Sequence, residues 1–99
     1  GIGKTRDEKM SDTKNTRSEV LAIAADLING ERQKHYGTPQ DNFGTTAALF
    51  SAYLDIDITA SDVCHLMTLL KIARLKRGPN WDSSIDACGY MALGAECAE

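Results

Sequence analysis

The chain has 99 residues, 42% hydrophobic and 25% charged, which describes one domain of ordinary globular composition with room for a single core. A net charge of −3 argues against nonspecific nucleic-acid binding, which needs a basic face. No apolar run approaches the roughly 20 residues of a membrane span, no leader pattern is visible, and Cys64, Cys88 and Cys97 lack metal-ligand spacing, so reduced thiols and a cytoplasmic location are expected.

The opening fifteen residues, GIGKTRDEKMSDTKN, are polar and without periodicity, and are expected as a flexible N-terminal tail. Within it, Gly1 to Lys9 read as residues placed ahead of a natural start at Met10. Gly1-Ile2-Gly3-Lys4-Thr5 imitates the end of a phosphate-binding loop but has neither the earlier glycine nor the strand that such a loop requires. A single helical domain is expected over 16–99.

Thr16-Arg17-Ser18-Glu19 is a capping box, and Val20, Ile23, Ala24, Leu27 and Ile28 follow at helical spacing. Asn29-Gly30 weakens this first helix. The polar turn Glu31–Lys34 is expected to continue it to Tyr36, with Gly37 as a left-handed cap. Thr38-Pro39 opens a second helix with a buried stripe of Phe43, Ala47, Phe50 and Leu54 and with Tyr53 on its border; Gly44 suits close packing. Asp55-Ile56-Asp57-Ile58 reads as a connection with inward-facing isoleucines.

Thr59-Ala60-Ser61-Asp62 opens the third helix, whose apolar face is expected from Val63, Leu66, Met67, Leu70 and Ala73, and Gly78-Pro79 closes it. A fourth helix starts near Asp82 or Ser83 and turns Ile85, Cys88, Gly89, Ala92 and Leu93 inward, with the small residues Gly89, Ala92 and Ala95 allowing close approach. No segment alternates with period two. The fold class is therefore all-α, a small bundle of about four helices. So small a core makes a homodimer plausible.

Three polar groupings carry the chemistry. Arg32-Gln33-Lys34-His35-Tyr36-Gly37 reads either as a phosphate or base contact or as a solvated helix end with Tyr36 on the core. Lys71 and Arg74 share a helix face and suit phosphate or carboxylate oxygens, unless their stems only cover the core while the heads reach water. Lys76 and Arg77 read as surface charge. Asp82, Asp86 and Tyr90 share a face of the last helix. The two carboxylates could hold Mg²⁺ against a phosphate, or Asp82 caps the helix while Asp86 pairs with Arg74. His35 and His65 show no metal-ligand spacing.

Glu31–Gly37, Asn42-Phe43, Leu49–Leu54, Ile58–Val63, Leu69–Arg74 and Trp81–Tyr90 together resemble a small helical family of phages and prophages whose function is unknown. The Arg32-x-x-x-Tyr36-Gly37 element is similar to a domain associated with nucleotide modification in phages. The resemblance implies weight for Arg32, Tyr36, Gly37, Lys71, Arg74, Asp82, Asp86 and Tyr90. A more distant likeness is to the MazG-type all-α nucleotide pyrophosphohydrolases, which bind Mg²⁺ through paired acidic motifs. Here Lys71-x-x-Arg74 stands where one such motif would be, and that departs from their chemistry.

Two readings follow. In the first, the domain binds a nucleotide or another phosphate-bearing small molecule in nucleotide metabolism or modification. Arg32, Lys34, Tyr36, Gly37, Lys71, Arg74 and Tyr90 make the ligand contacts, and Asp82 and Asp86 take any Mg²⁺. In the second, it is a non-enzymatic phage-encoded protein that modulates a host or phage protein partner, and Arg32, Lys71, Arg74, Asp82 and Asp86 form a structural salt-bridge network. Either would act in the cytoplasm of a bacterial host. No reaction is specified by the residues.

Overall fold

The computed structural model describes residues 16–30 and 37–98. They form α1 (Arg17–Asn29), α2 (Pro39–Leu54), α3 (Ala60–Arg74), a one-turn 3-10 helix (Leu75–Arg77) and α4 (Trp81–Cys97). Among the described residues there is no strand. Among the described residues the architecture is the expected all-α bundle, with four α-helices.

The helix starts follow from side chains that satisfy otherwise unpaired N–H groups. The Glu19 N–H donates to Thr16 Oγ1 at 3.1 Å, and the Thr16 N–H donates back to Glu19 Oε1 at 2.9 Å. Thr38 Oγ1 accepts from the Asp41 N–H at 3.1 Å, with Pro39 in the first turn where its missing N–H costs nothing. Thr59 and Asp62 form a second reciprocal box, both bonds at 3.0 Å. The start of α4 corrects the sequence reading. Asn80 is its cap, accepting from the Ser83 N–H at 3.0 Å, so Asp82 lies inside the first turn rather than capping it.

Helix α1 ends at Asn29, where Gly30 leaves helical geometry (φ −99°, ψ −127°). The expected continuation through Glu31–Tyr36 lies outside the described residues. Gly37 does take a left-handed φ of 76°, immediately ahead of the α2 cap.

The core is a cluster of Phe43, Ala47, Ala60, Val63, Cys64 and Leu93, flanked by the half-buried Ile28, Phe50, Ile58, Met67, Tyr90 and Cys97. Helices α3 and α4 pack most extensively, α1 lies mainly on α4, and α2 lies mainly on α3. Two glycines of α4 set the approach. A Cβ at Gly94 would stand 3.0 Å from Cys64 Cβ, and one at Gly89 would stand 3.0 Å from Ile28 Cγ2. The Ser61 hydroxyl locks the first of these seams by donating to the Gly94 carbonyl at 3.0 Å. Gly44, in contrast, faces open space, and Ala92 and Ala95 are exposed, so close packing at those positions is not observed.

The buried face of α3 is rotated from the expected one. It consists of Ala60, Val63, Cys64 and Thr68, with Met67 beside them, whereas Leu66, Leu70 and Ala73 are exposed. In the α2–α3 connection only Ile58 turns inward and Ile56 is exposed. Ser51 fixes that connection through one hydroxyl, which accepts from the Ile58 N–H at 2.9 Å and donates to the Ile58 carbonyl at 3.2 Å. Tyr53, expected at a border, is 88% exposed, and Leu54 is exposed at the end of its helix.

Candidate ligand cleft

Because α1 leans on α4 and not on α3, a gap remains where the three helices would otherwise meet. It is a cleft of about 360 Å³ lined by Ala24, Asp26, Leu27 and Ile28 of α1, Lys71 of α3, and Ile85, Asp86, Gly89, Tyr90 and Leu93 of α4. Its floor is aliphatic, and its polar groups number four.

Lys71 is the central one. It continues the buried Val63–Cys64–Met67–Thr68 face by one turn, so its stem is directed between the helices, and its side chain is only 14% exposed. The ammonium meets Asp86 Oδ2 at 3.0 Å, and the Asp86 side chain is 36% exposed at the cleft mouth. Tyr90 borders both the cleft and the core, its ring set edge-on against Phe43 with centroids 6.2 Å apart and an interplanar angle of 74°. With Asp26 and Asp86 against Lys71, the lining carries one more negative than positive charge.

The structure thus brings together Lys71, Asp86 and Tyr90 of the expected site. It does not bring in Arg74. That guanidinium lies on a separate open hollow with Leu70, Ala73, Arg77, Gly78, Pro79 and Asn80, and the expected Arg74–Asp86 pair is replaced by Lys71–Asp86. The structural network of five charged residues reduces, among the described residues, to this single pair. Gly37 is exposed ahead of α2, while Arg32, Lys34, His35 and Tyr36 lie outside the described residues. Asp26 was missed, although it is the sole charge in Val20–Asn29 and so stood out on an apolar helix.

The residues fit Mg²⁺ poorly. Asp86 is already matched by an ammonium and Asp82 is exposed, and among the described residues no three His, Cys, Asp or Glu side chains gather as a metal site. Hydrogen bonds from the Thr59 backbone N–H and hydroxyl hold the Asp62 carboxyl below its usual range. Burial pushes the Cys97 thiol up, against a hydrogen bond with Cys64. Cys64 is buried, Cys88 and Cys97 are half-buried, and all three are free thiols.

Four capped helices among the described residues, with a polar-edged cleft between three of them, define the class. Residues 19–98 match the model of the family described as "Domain of unknown function (DUF6378)", and the chain belongs to that family. It is similar to the Gene 55 protein of Mycobacterium phage D29, with 48% identity over 81 residues covering 81% of this chain and 51% of that protein. It is also similar to the Gene 55 protein of Mycobacterium phage L5, with 38% identity over 76 residues covering 75% of this chain and 49% of that protein. The chain therefore spans about half the length of the curated relatives it matches. No solved structure matches it. This is a phage-type domain of unknown function, and among its described residues no helix is long and apolar enough to cross a membrane.

Proposed function

We propose that the α1–α3–α4 cleft binds a small phosphate-bearing molecule of nucleotide size. The observation that carries this reading is Lys71, an ammonium held on the inner face of a helix at the mouth of an apolar cleft. Lysines are rarely placed there, because desolvating the charge is costly and an aliphatic residue would pack without that cost. The volume falls in the roughly 300–1,000 Å³ range of small-molecule sites. Lys71 would meet the anionic group, while Asp26 and Asp86 would accept from amino or hydroxyl groups. Ile28, Ile85 and Tyr90 would cover the ligand's flat body. The excess carboxylate favours a ligand that carries donors as well as an anion, as nucleotides do, over inorganic phosphate. No catalytic step is assigned.

The test is thermal shift with nucleosides, nucleoside mono-, di- and triphosphates and inorganic phosphate, each with and without Mg²⁺. A nucleotide at about 100 times its Kd should add roughly 2.7 kcal/mol to stability, and Lys71→Met should abolish the response. No stabilisation by any compound rejects the reading.

The exposed leucines of α3 favour a second role compatible with the first, that of a module that docks on protein.

A further inference from the structure

On the outer side of α3, Asp62, Leu66, Leu69, Leu70 and Ala73 recur at i, i+4, i+7, i+8 and i+11, the spacing of one helical stripe, and Arg77 follows one turn later. Leu69 and Leu70 are 59% and 51% exposed, with Leu66 and Ile72 exposed beside them. An apolar stripe of this kind on a small domain marks a contact surface. Its charges identify the partner. Asp55, Asp57 and Asp62 stand at one end of α3; Arg74, Lys76 and Arg77 stand at the other. Among the described residues none of these six takes part in an ion pair. A helix of 15 residues is about 22 Å long, so the two ends cannot meet within one chain.

We propose that this face binds a second copy of the chain, with the two α3 helices antiparallel about a two-fold axis between Leu69 and Leu70. In that register Leu69 faces the second copy's Leu70, Leu66 faces its Ala73, and Asp62 faces its Arg77. One self-complementary patch is used twice, as two-fold symmetry requires. The leucines of both copies leave water, each acidic end meets a basic end, and the helix dipoles oppose. An acidic partner protein would match only the basic half of the stripe, and a basic one only the acidic half. The second copy matches both.

Sedimentation equilibrium of the 99-residue chain over a dilution series should show a dimer that loosens as salt rises. Leu70→Asp should weaken it at least about 30-fold, with the helical circular dichroism unchanged because the position is half-exposed in one copy. The register is read on the unmodified protein by carbodiimide, which joins an amine to a touching carboxylate. Covalent dimers should link Lys76 to Asp57 or Asp62, a bond that the length of α3 forbids within one chain. A monomer at the highest soluble concentration overturns the proposal. So does a dimer indifferent to Leu70→Asp, or one whose links lie elsewhere.

Discussion

On its inner face α3 buries Ala60, Val63, Cys64 and Thr68, while its outer face leaves Leu66, Leu69 and Leu70 substantially in solvent. The larger aliphatic side chains lie outside and the smaller ones inside. The difference comes from how closely α4 approaches. With Gly94 set against Cys64 and the Ser61 hydroxyl bonded to the Gly94 carbonyl, leucines on that seam would hold the helices apart. Close packing rather than hydrophobicity decides which face is the core here, and the displaced leucines are left at the surface.

The inner face is tested hardest at Phe43, which closes the core cluster and supports Tyr90. Phe43→Ala should cost about 3–5 kcal/mol in urea unfolding. A loss below about 1 kcal/mol would mean that the seam, and not the aromatic, carries the core. At the end of the same face, Asp86→Ala leaves the sheltered Lys71 ammonium unmatched and should cost about 1–3 kcal/mol, between the limits for exposed and buried pairs. The double variant Lys71→Met/Asp86→Leu should restore most of that stability while remaining silent to nucleotides. If stability is not restored, the pair is structural in a way that shape alone cannot replace. The outer face should respond least. Leu69→Ser, measured at a dilution where the chain is monomeric, should change folding by no more than about 0.5 kcal/mol. A larger loss would make Leu69 part of the core and erase the contrast between the faces.

The helix starts were legible because each depends on local chemistry: Thr16, Thr38 and Thr59 cap as read. The fourth start was placed too late, near Asp82 or Ser83, because Asp82 is itself a capping type, whereas Asn80 two residues earlier makes the cap. The α3 face was not legible, because two apolar stripes lie side by side on the helix and the choice between them depends on Gly94, thirty residues away. For the same reason Lys71 and Arg74, equal in sequence, separate in space. Lys71 continues the buried stripe, and Arg74 turns past it to the open hollow. Asp26 lacked a motif, and its position at the cleft follows only from how α1 rests on α4.

That seating has a consequence for motion. Helix α1 is carried mainly by one neighbour, whereas α3 is held between two, tied at its start by the side-chain hydrogen bonds at Ile58 and Ser61 and near its other end by the Lys71–Asp86 pair. Local opening therefore costs least at α1, whose amides should exchange with solvent well before those of α3. The cleft wall that α1 supplies is its least anchored wall. A ligand filling the cleft would be recorded as slowed exchange along Ala24–Ile28, in a helix that rests mainly on one neighbour.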